Sequence, residues 1–321
     1  MQPTARSERV EDYHAIAEVV AAAFARPGRA GTGEMLLVDV LRHSEGFDPE
    51  LALVGEVDGV VAAYALWNPH TVFIGGEPTK GAMLAPLGVH PDHQRKGVGR
   101  ALMQEGHRRL IDKGYSFAFH MGVTSYYPQH GYDSHMFGKV CASVPWQDIP
   151  PEGEALETRQ VQPEDIPAVV AMWREWFLDT PFAIFPGDGY LDWVRHFEHI
   201  RSEVFHRDGA VVGFLRYDVL RPQRVTCYLA ADAEAATAMM AHVARQISDE
   251  SVTHLELPIH PGAAAARRLL VVPWSPIAET GPYGFLRVFA EDGPAAAYRD
   301  GVRAGTIAPG IHTYPPAFDF D

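Results

Sequence analysis

The sequence predicts an α/β fold made of two tandem mixed-sheet domains with flanking helices. Three observations carry that expectation. An apolar segment, Met83 to Val89, leads through Gly97 and Gly99 into a helical pattern running from Ala101 to Lys113. Asp58-Gly59 and Asp208-Gly209 each sit between two β-rich runs, which is a tight-hairpin signal. The stretch Arg6 to Ile16 also lines up with Arg159 to Val169, so that Glu11-Asp12 falls on Glu164-Asp165. At 321 residues the chain exceeds what one hydrophobic core usually serves, and two domains are the starting expectation.

The elements can be justified in order. Asp12 and Asp165 each stand where a carboxylate can cap or charge the first turn of an apolar helix, and those helices end at Phe24 and Phe177. Ala25 to His43 holds Gly28, Gly31 and Gly33 and reads as a loop leading into a helix. The first hairpin occupies Leu51 to Tyr64 and its echo Glu203 to Phe214. Pro86 inside the Met83–Val89 strand lacks a ladder donor and belongs at a bulge or an edge. A further strand is expected over Ser116 to Thr124. Pro145, Pro150, Pro151 and Gly153 mark a linker. In the second copy a strand from Arg224 to Leu229 runs into a helical pattern through Met240, and an Ala-rich helix covers Gly262 to Leu270. The expected organisation is a first domain over 1–144, a linker over 145–155, a second domain over 156–290 and a Gly/Pro-rich tail over 291–321. Phe318 and Phe320 suggest that the tail packs back on the body.

The turn Gln94-Arg95-Lys96-Gly97-Val98-Gly99-Arg100 is the most informative stretch. A strand turning through glycines into a helix leaves backbone N–H groups without intrahelical acceptors at the positive end of the helix dipole. With no Cβ at Gly97 or Gly99 and with Arg95, Lys96 and Arg100 alongside, it forms a cradle for a diphosphate. It is neither a G-x-G-x-x-G dinucleotide fingerprint nor a triphosphate loop ending in Gly-Lys-Ser/Thr. That disfavours a nucleotide-dependent phosphotransferase.

The segment Leu84 to Leu102, LAPLGVHPDHQRKGVGRAL, resembles the acyl-CoA-binding motif of the GNAT N-acetyltransferase superfamily. Tyr126-Tyr127-Pro128-Gln129-His130-Gly131-Tyr132 resembles the Tyr-x-x-x-Gly-aromatic segment that follows the fifth strand in those enzymes. The two motifs occur in the family's order, and the resemblance is strong over 82–132. It implies acetyl-CoA as acyl-donor cosubstrate, with its pantetheine arm beside the backbone of Leu87, Gly88 and Val89. The diphosphate would lie on Gln94, Arg95, Lys96, Gly97, Val98, Gly99 and Arg100. It also implies a bulge at Pro86 that parts the fourth and fifth strands.

Transfer to an amine needs a polarised thioester carbonyl, a neutral attacking nitrogen and a proton for the departing thiolate. The resemblance assigns that proton to Tyr127, preferred over its neighbour Tyr126 by the spacing to Gly131. A phenol, with a pKa near ~10, suits a thiolate. The general base is open between Glu34, His120 and the terminal Asp321, with a water relay or direct binding of a neutral amine as further routes. No acid stands in the strand Met83 to Val89, and no Cys or Ser near the motifs looks like an acyl carrier, so direct attack in a ternary complex is expected.

The second copy lacks this equipment. Its corresponding turn reads Ala230-Ala231-Asp232-Ala233-Glu234, without glycine or cation, and Asp232 and Glu234 would repel a diphosphate. The pattern resembles a tandem GNAT protein with an active N-terminal and a degenerate C-terminal copy.

The formal charge is −14, with 13 Lys+Arg against 17 Asp+Glu over residues 1–150 and the greater excess of acid beyond. An acidic surface excludes nucleic acid as the expected partner and attracts cationic amines, towards which Glu34 and Asp39 could contribute. A small-molecule or peptide amine is therefore the expected acceptor. No apolar run reaches the ~20 residues of a bilayer span, and no signal-peptide core opens the chain, so a cytoplasmic, non-membrane protein is expected. Cys141 and Cys227 are too few for a disulfide framework, and no metal-binding spacing occurs among the histidines. The sequence leaves the oligomeric state open, a homodimer included. An acyl-CoA-binding regulatory or scaffold protein without turnover is the alternative reading.

Overall fold

The computed structural model describes residues 3–122, 125–194, 197–249 and 251–311. In chain order the elements are β1 (Thr4–Ser7), α1 (Tyr13–Ala23), α2 (Thr32–Arg42), β2 (Ala52–Val57), β3 (Val60–Ile74), β4 (Glu77–Val89), α3 (Val98–Asp112), β5 (Phe117–Met121), β6 (Gly138–Pro145) and β7 (Glu157–Gln160). There follow α4 (Ile166–Phe177), β8 (Ala183–Ile184), β9 (Ile200–Arg207), β10 (Ala210–Asp218), β11 (Arg221–Ala230), α5 (Ala233–Ala244), β12 (His254–Leu257), α6 (Ala264–Leu269), β13 (Ser275–Thr280), β14 (Gly284–Val288) and α7 (Pro294–Ala304).

The strands form three sheets. The largest has the order β1-β2-β3-β4-β5-β14, with β8 attached to the far end of β3; the others are β11-β10-β9-β7 and β12-β6-β13. Period-two alternation decides which side each residue serves. Leu53, Ala63, Ala65, Trp67 and Ala82 face Val98, Leu102 and Leu110 of α3. Ala52, Val54, Tyr64 and Leu66 face Ile16 and Val20 of α1 and Leu37 and Leu41 of α2. Both hairpins form where the Asp-Gly pairs stand, with Asp58 and Gly59 at φ 54° and 79° and Asp208 and Gly209 at 50° and 80°. Positive φ at both central positions is what a type I′ turn requires.

The aligned segments of the two halves have the same local structure. Arg6 forks onto Asp12 at 2.6 and 2.9 Å, and Asp12 accepts from the Arg9 amide at 2.8 Å. Arg159 forks onto Asp165 at 2.7 and 2.9 Å, and Asp165 accepts from the Gln162 amide at 2.8 Å. Each aspartate thereby ties a strand to the start of a helix.

Two sequence expectations meet a different arrangement. The boundary expected at 144 does not separate the sheets: β6 pairs with β12 and β13, while β14 from the C-terminal half takes the place beside β5. The reason lies in burial, because Val140, Ala142 and Val144 of β6 enter the core built from α4, α5 and the β9–β11 strands. Second, residues expected as tail form α7, with Pro294 at its first turn and Gly305 at φ 69° just past its end. Tyr298 of this helix is buried and donates to the Met136 carbonyl at 2.7 Å, while the Gly310 amide donates to its hydroxyl at 2.8 Å. Phe318, Phe320 and Asp321 lie outside the described residues, as do Val123 and Thr124 at the end of the expected strand 116–124.

Candidate active site

Strands β4 and β5 run parallel and pair only at Gly81↔Phe117, Ala82↔Ala118 and Met83↔Phe119. Beyond Met83, β4 continues to Val89 against β3 alone, so its other edge faces the gap next to β5. The β3–β4 register shifts between Ala65↔Leu87 and Trp67↔Leu84, leaving Ala85 and Pro86 opposite one residue of β3. This is a bulge at the position expected for Pro86, and it bends β4 away from β5.

The gap opens towards the start of α3. Gly97 stands at its N-cap with φ 85°, and Arg95 also has positive φ, 62°. The first helical bond runs from the Ala101 amide to the Gly97 carbonyl at 3.0 Å, so the preceding amides of Val98, Gly99 and Arg100 have no intrahelical acceptor. Gln94, Arg95, Lys96 and Arg100 are exposed around them. A Cβ on Gly97 would meet nothing nearer than Pro3 at 3.8 Å, whereas one on Gly99 would stand 2.8 Å from the Tyr126 hydroxyl and 3.3 Å from Val89. Val98 contributes backbone only, since its side chain is buried beneath α3. Gln94 donates to the Val89 carbonyl at 3.3 Å, and Ala85, Leu87 and Val89 are the half-buried residues on the free stretch of β4. Gly88 is buried and lets α1 approach: a Cβ there would be 3.0 Å from Ala23.

The two tyrosines are held differently. Tyr126 places its hydroxyl at the start of α3, beside Gly99. Tyr127 turns towards β5, with its ring centroid 3.6 Å from that of His120 and 5.4 Å from that of Phe285. Burial raises the pKa of both phenols, most strongly for Tyr127, so that Tyr127 holds its proton at neutral pH. His120 is 1% exposed, stacked on Phe285, and burial lowers its pKa to about 3. Both of its ring nitrogens lack a hydrogen-bond partner among the described residues. A ring so buried is neutral at neutral pH and is shielded from solvent.

The C-terminal half supplies parts that the sequence did not reveal. Phe285 and Arg287 on β14 pack beside the tyrosine segment. The Arg287 guanidinium lies 2.6 Å from His107 Nδ1 and donates to the His130 carbonyl, and His107 Nε2 is 3.0 Å from the Tyr132 hydroxyl. Burial, with Arg287 beside it, holds the His107 pKa down to about 3, so this ring too is neutral. Arg287 thus bridges α3 and the segment 126–132. Only the aromatic character of Gly284 to Val288 could have drawn attention to this strand.

Of the remaining candidates, Glu34 sits half-buried in the first turn of α2, on the sheet face opposite α3. Asp39, further along α2, borders a cavity of about 780 Å³ whose other walls come from Asn68–Thr71 of β3 and from residues 185–192. In the second sheet the turn after β11 is filled by its own side chains. Asp232 accepts from the Ala235 amide at 2.8 Å, Arg207 binds Asp232 at 2.6 Å, and Arg207 Nε donates to Glu154 at 2.7 Å. Among the described residues no group of acidic, histidine or cysteine side chains could hold a metal, and no helix is long and apolar enough to cross a membrane.

Comparison with known proteins agrees with the α/β fold. Residues 4–134 match the family described as acetyltransferase (GNAT) domain. A stretch of 99 residues is 34% identical to the uncharacterized N-acetyltransferase YjhQ of Escherichia coli K12, covering 30% of this chain and 54% of that protein. The chain therefore spans about half the length of that curated relative. Two solved structures described as GCN5-related N-acetyltransferases share the fold. The one from Kribbella flavida has a TM-score of 0.69 at 18% identity over 92% of this chain and 72% of that one. The one from Anabaena variabilis has a TM-score of 0.65 at 14% identity over 89% and 73%.

Proposed function

We propose that the protein, whose residues 4–134 match the GNAT acetyltransferase domain, is an N-acetyltransferase that uses acetyl-CoA and acetylates a primary amine by direct attack. The observation that carries this reading is the conjunction of a parted β4–β5 pair, a helix start with free amides at Val98 to Arg100, and Tyr127 packed against His120 on β5. The residues present fit the cosubstrate. Leu87 and the free edge of β4 suit a pantetheine arm, and the amides of Val98, Gly99 and Arg100 with the exposed Arg95 and Lys96 suit a diphosphate.

Bound acetyl-CoA supplies a thioester: transfer forms an N–C bond, breaks the C–S bond, takes one proton from nitrogen and delivers one to sulfur. Tyr127 holds its Oη proton in a low-dielectric site and can give it to a thiolate. Tyr126, with its hydroxyl at the start of α3, is a positioning residue for the ligand end near Gly99. His120 supports the Tyr127 ring, and the burial that lowers its pKa makes it a weak base for the amine proton. The second half is proposed to be a degenerate copy of the first, because Asp232, Arg207 and Glu154 occupy the turn where a diphosphate would sit. A cytoplasmic location fits an enzyme that draws on acetyl-CoA and belongs to the same proposal.

The test is calorimetric titration of the full chain with acetyl-CoA, followed by thiol release against a panel of amines. One site per chain with amine-dependent release supports the reading. Tight binding without release from any amine would replace it with an acyl-CoA-binding regulator, and no binding would remove both.

A further inference from the structure

The cavity between α2, β3 and residues 185–192 lies on the α1/α2 face of the sheet, away from α3. Its charge is one-sided. Asp39, Glu45, Asp188 and Asp192 line it against a single ammonium, that of Lys80, which lies 5.8 Å over the Tyr115 ring. Glu45 and Asp192 converge: the point where a Cβ on Gly189 would stand is 3.1 Å from Asp192 Oδ2 and 3.7 Å from Glu45 Oε1. Burial raises the Asp192 pKa and the charges of Glu45 and Asp188 add to it, against the opposing bond from the Gly189 amide.

Carboxylates alone would describe a solvated rim, but the inner wall adds an independent observation. Asn68 also lines the cavity and is 4% exposed. Its Nδ2 lies 3.2 Å from His70 Nε2, while its Oδ1 has no partner among the described residues. A buried acceptor left unmatched calls for a donor. An amino group donates N–H bonds, and an ammonium has no acceptor capacity to conflict with the surrounding carboxylates.

The position of Asn68 connects the cavity to the chemistry. Asn68 is paired with Met83 on β4, and Met83↔Phe119 is the last β4–β5 pair before those strands part. The inner wall of the cavity thus adjoins the gap, while the exposed Glu45 and Asp188 and the half-buried Asp192 line it as well. We propose that this cavity is the acceptor site and that it takes a polycationic amine, one amino group at Asn68 Oδ1 and a second, charged nitrogen among Glu45, Asp188 and Asp192. The inference rests on the acetyltransferase reading and narrows it to amines carrying at least two nitrogens along an extended chain. It also gives residues 185–192 of the C-terminal half a substrate-selecting role.

The test compares 1,6-diaminohexane with hexylamine, which share an apolar stem and differ by one ammonium. Each is titrated calorimetrically into the full chain at low ionic strength, with and without CoA. The diamine is expected to bind at least fivefold tighter in one or both states, and 0.5 M salt should shrink that ratio. The double variant Glu45→Gln/Asp188→Asn, both exposed positions, should bring the ratio close to one with an unchanged melting temperature. Asn68→Leu should weaken both amines alike. Equal affinities in the native chain, a ratio that survives the double variant, or absence of binding in both states would overturn the proposal. A diamine preference in a protein that never releases thiol would leave the cavity assigned and refute the acetyltransferase reading instead. Equal turnover of the two amines at subsaturating concentration would refute the cavity assignment alone.

Discussion

Whether His120 can serve as the base turns on its protonation, which can be read from stability. The folded-state pKa is lowered from 6.5 to about 3 by burial. Above pH 6.5 the ring is neutral in both states and contributes no pH dependence. As pH falls through 6.5 the unfolded chain binds a proton that the folded chain refuses, so stability drains away down to about pH 3. At pH 5 the loss from this one group is the interval between 6.5 and 5 at 1.36 kcal/mol per pH unit, about 2 kcal/mol. The assay is urea denaturation followed by tryptophan fluorescence at pH 7.5 and pH 5.0, for the native chain and for His120→Leu. Leu retains an apolar ring-sized contact with Phe285 and Tyr127 and removes the titration, so other groups cancel in the difference. The variant should lose about 2 kcal/mol less than the native chain between the two pH values. An identical loss in both would mean that His120 titrates normally, which would restore it as a candidate base and break the argument from its burial.

The other expectations concern the site directly. Tyr127→Phe keeps the ring packing and removes the acid, so kcat should fall by about 10²-fold or more while acetyl-CoA affinity stays within twofold; full activity would move the proton to Tyr126 or water. Gly99→Ala places a methyl 2.8 Å from the Tyr126 hydroxyl, the free end of a side chain that can swing away. Its melting temperature should therefore change little, while its affinity for acetyl-CoA, measured by calorimetry, drops at least tenfold. Arg287→Met removes the bridge between His107 and the His130 carbonyl. It should destabilise the fold by about 1–3 kcal/mol and lower kcat more than it raises KM, and an unchanged kcat would show that the tyrosine segment needs no support from β14.

How much of this was legible in the sequence depends on how local the determinant is. The Asp-Gly hairpins, the Arg6–Asp12 and Arg159–Asp165 ties, the Gly97 turn and the bulge at Pro86 each depend on a few adjacent residues, and they stand where the sequence puts them. The partnership of β14 with β5 and of β6 with β12 and β13 is non-local. An alternating apolar strand such as Val140-Cys141-Ala142-Ser143-Val144 says that it needs a covered face but not which sheet will cover it. His120 shows the same limit at the level of chemistry. Its residue type suggested a base, and the packing of Tyr127, Tyr132 and Phe285, the last from a strand 165 residues further along, makes it a buried neutral ring.

These non-local contacts change what the C-terminal half is for. If it were only a copy that had lost its ligand, its surface could drift and the first sheet would be complete without it. Instead β14 covers the β5 edge and brings Phe285 and Arg287 to the tyrosine segment, while residues 185–192 wall the cavity beside Asn68. At the turn after β11, Asp232 accepts from the Ala235 amide and pairs with Arg207, which stabilises the start of α5 with the protein's own charges. The proposed cradle and acid thus lie in one half, while the other supplies Phe285 and Arg287 beside the tyrosine segment and one wall of the cavity proposed for the acceptor. Separating them at residue 144 would leave β5 with an exposed edge and Tyr127 without Phe285 behind it.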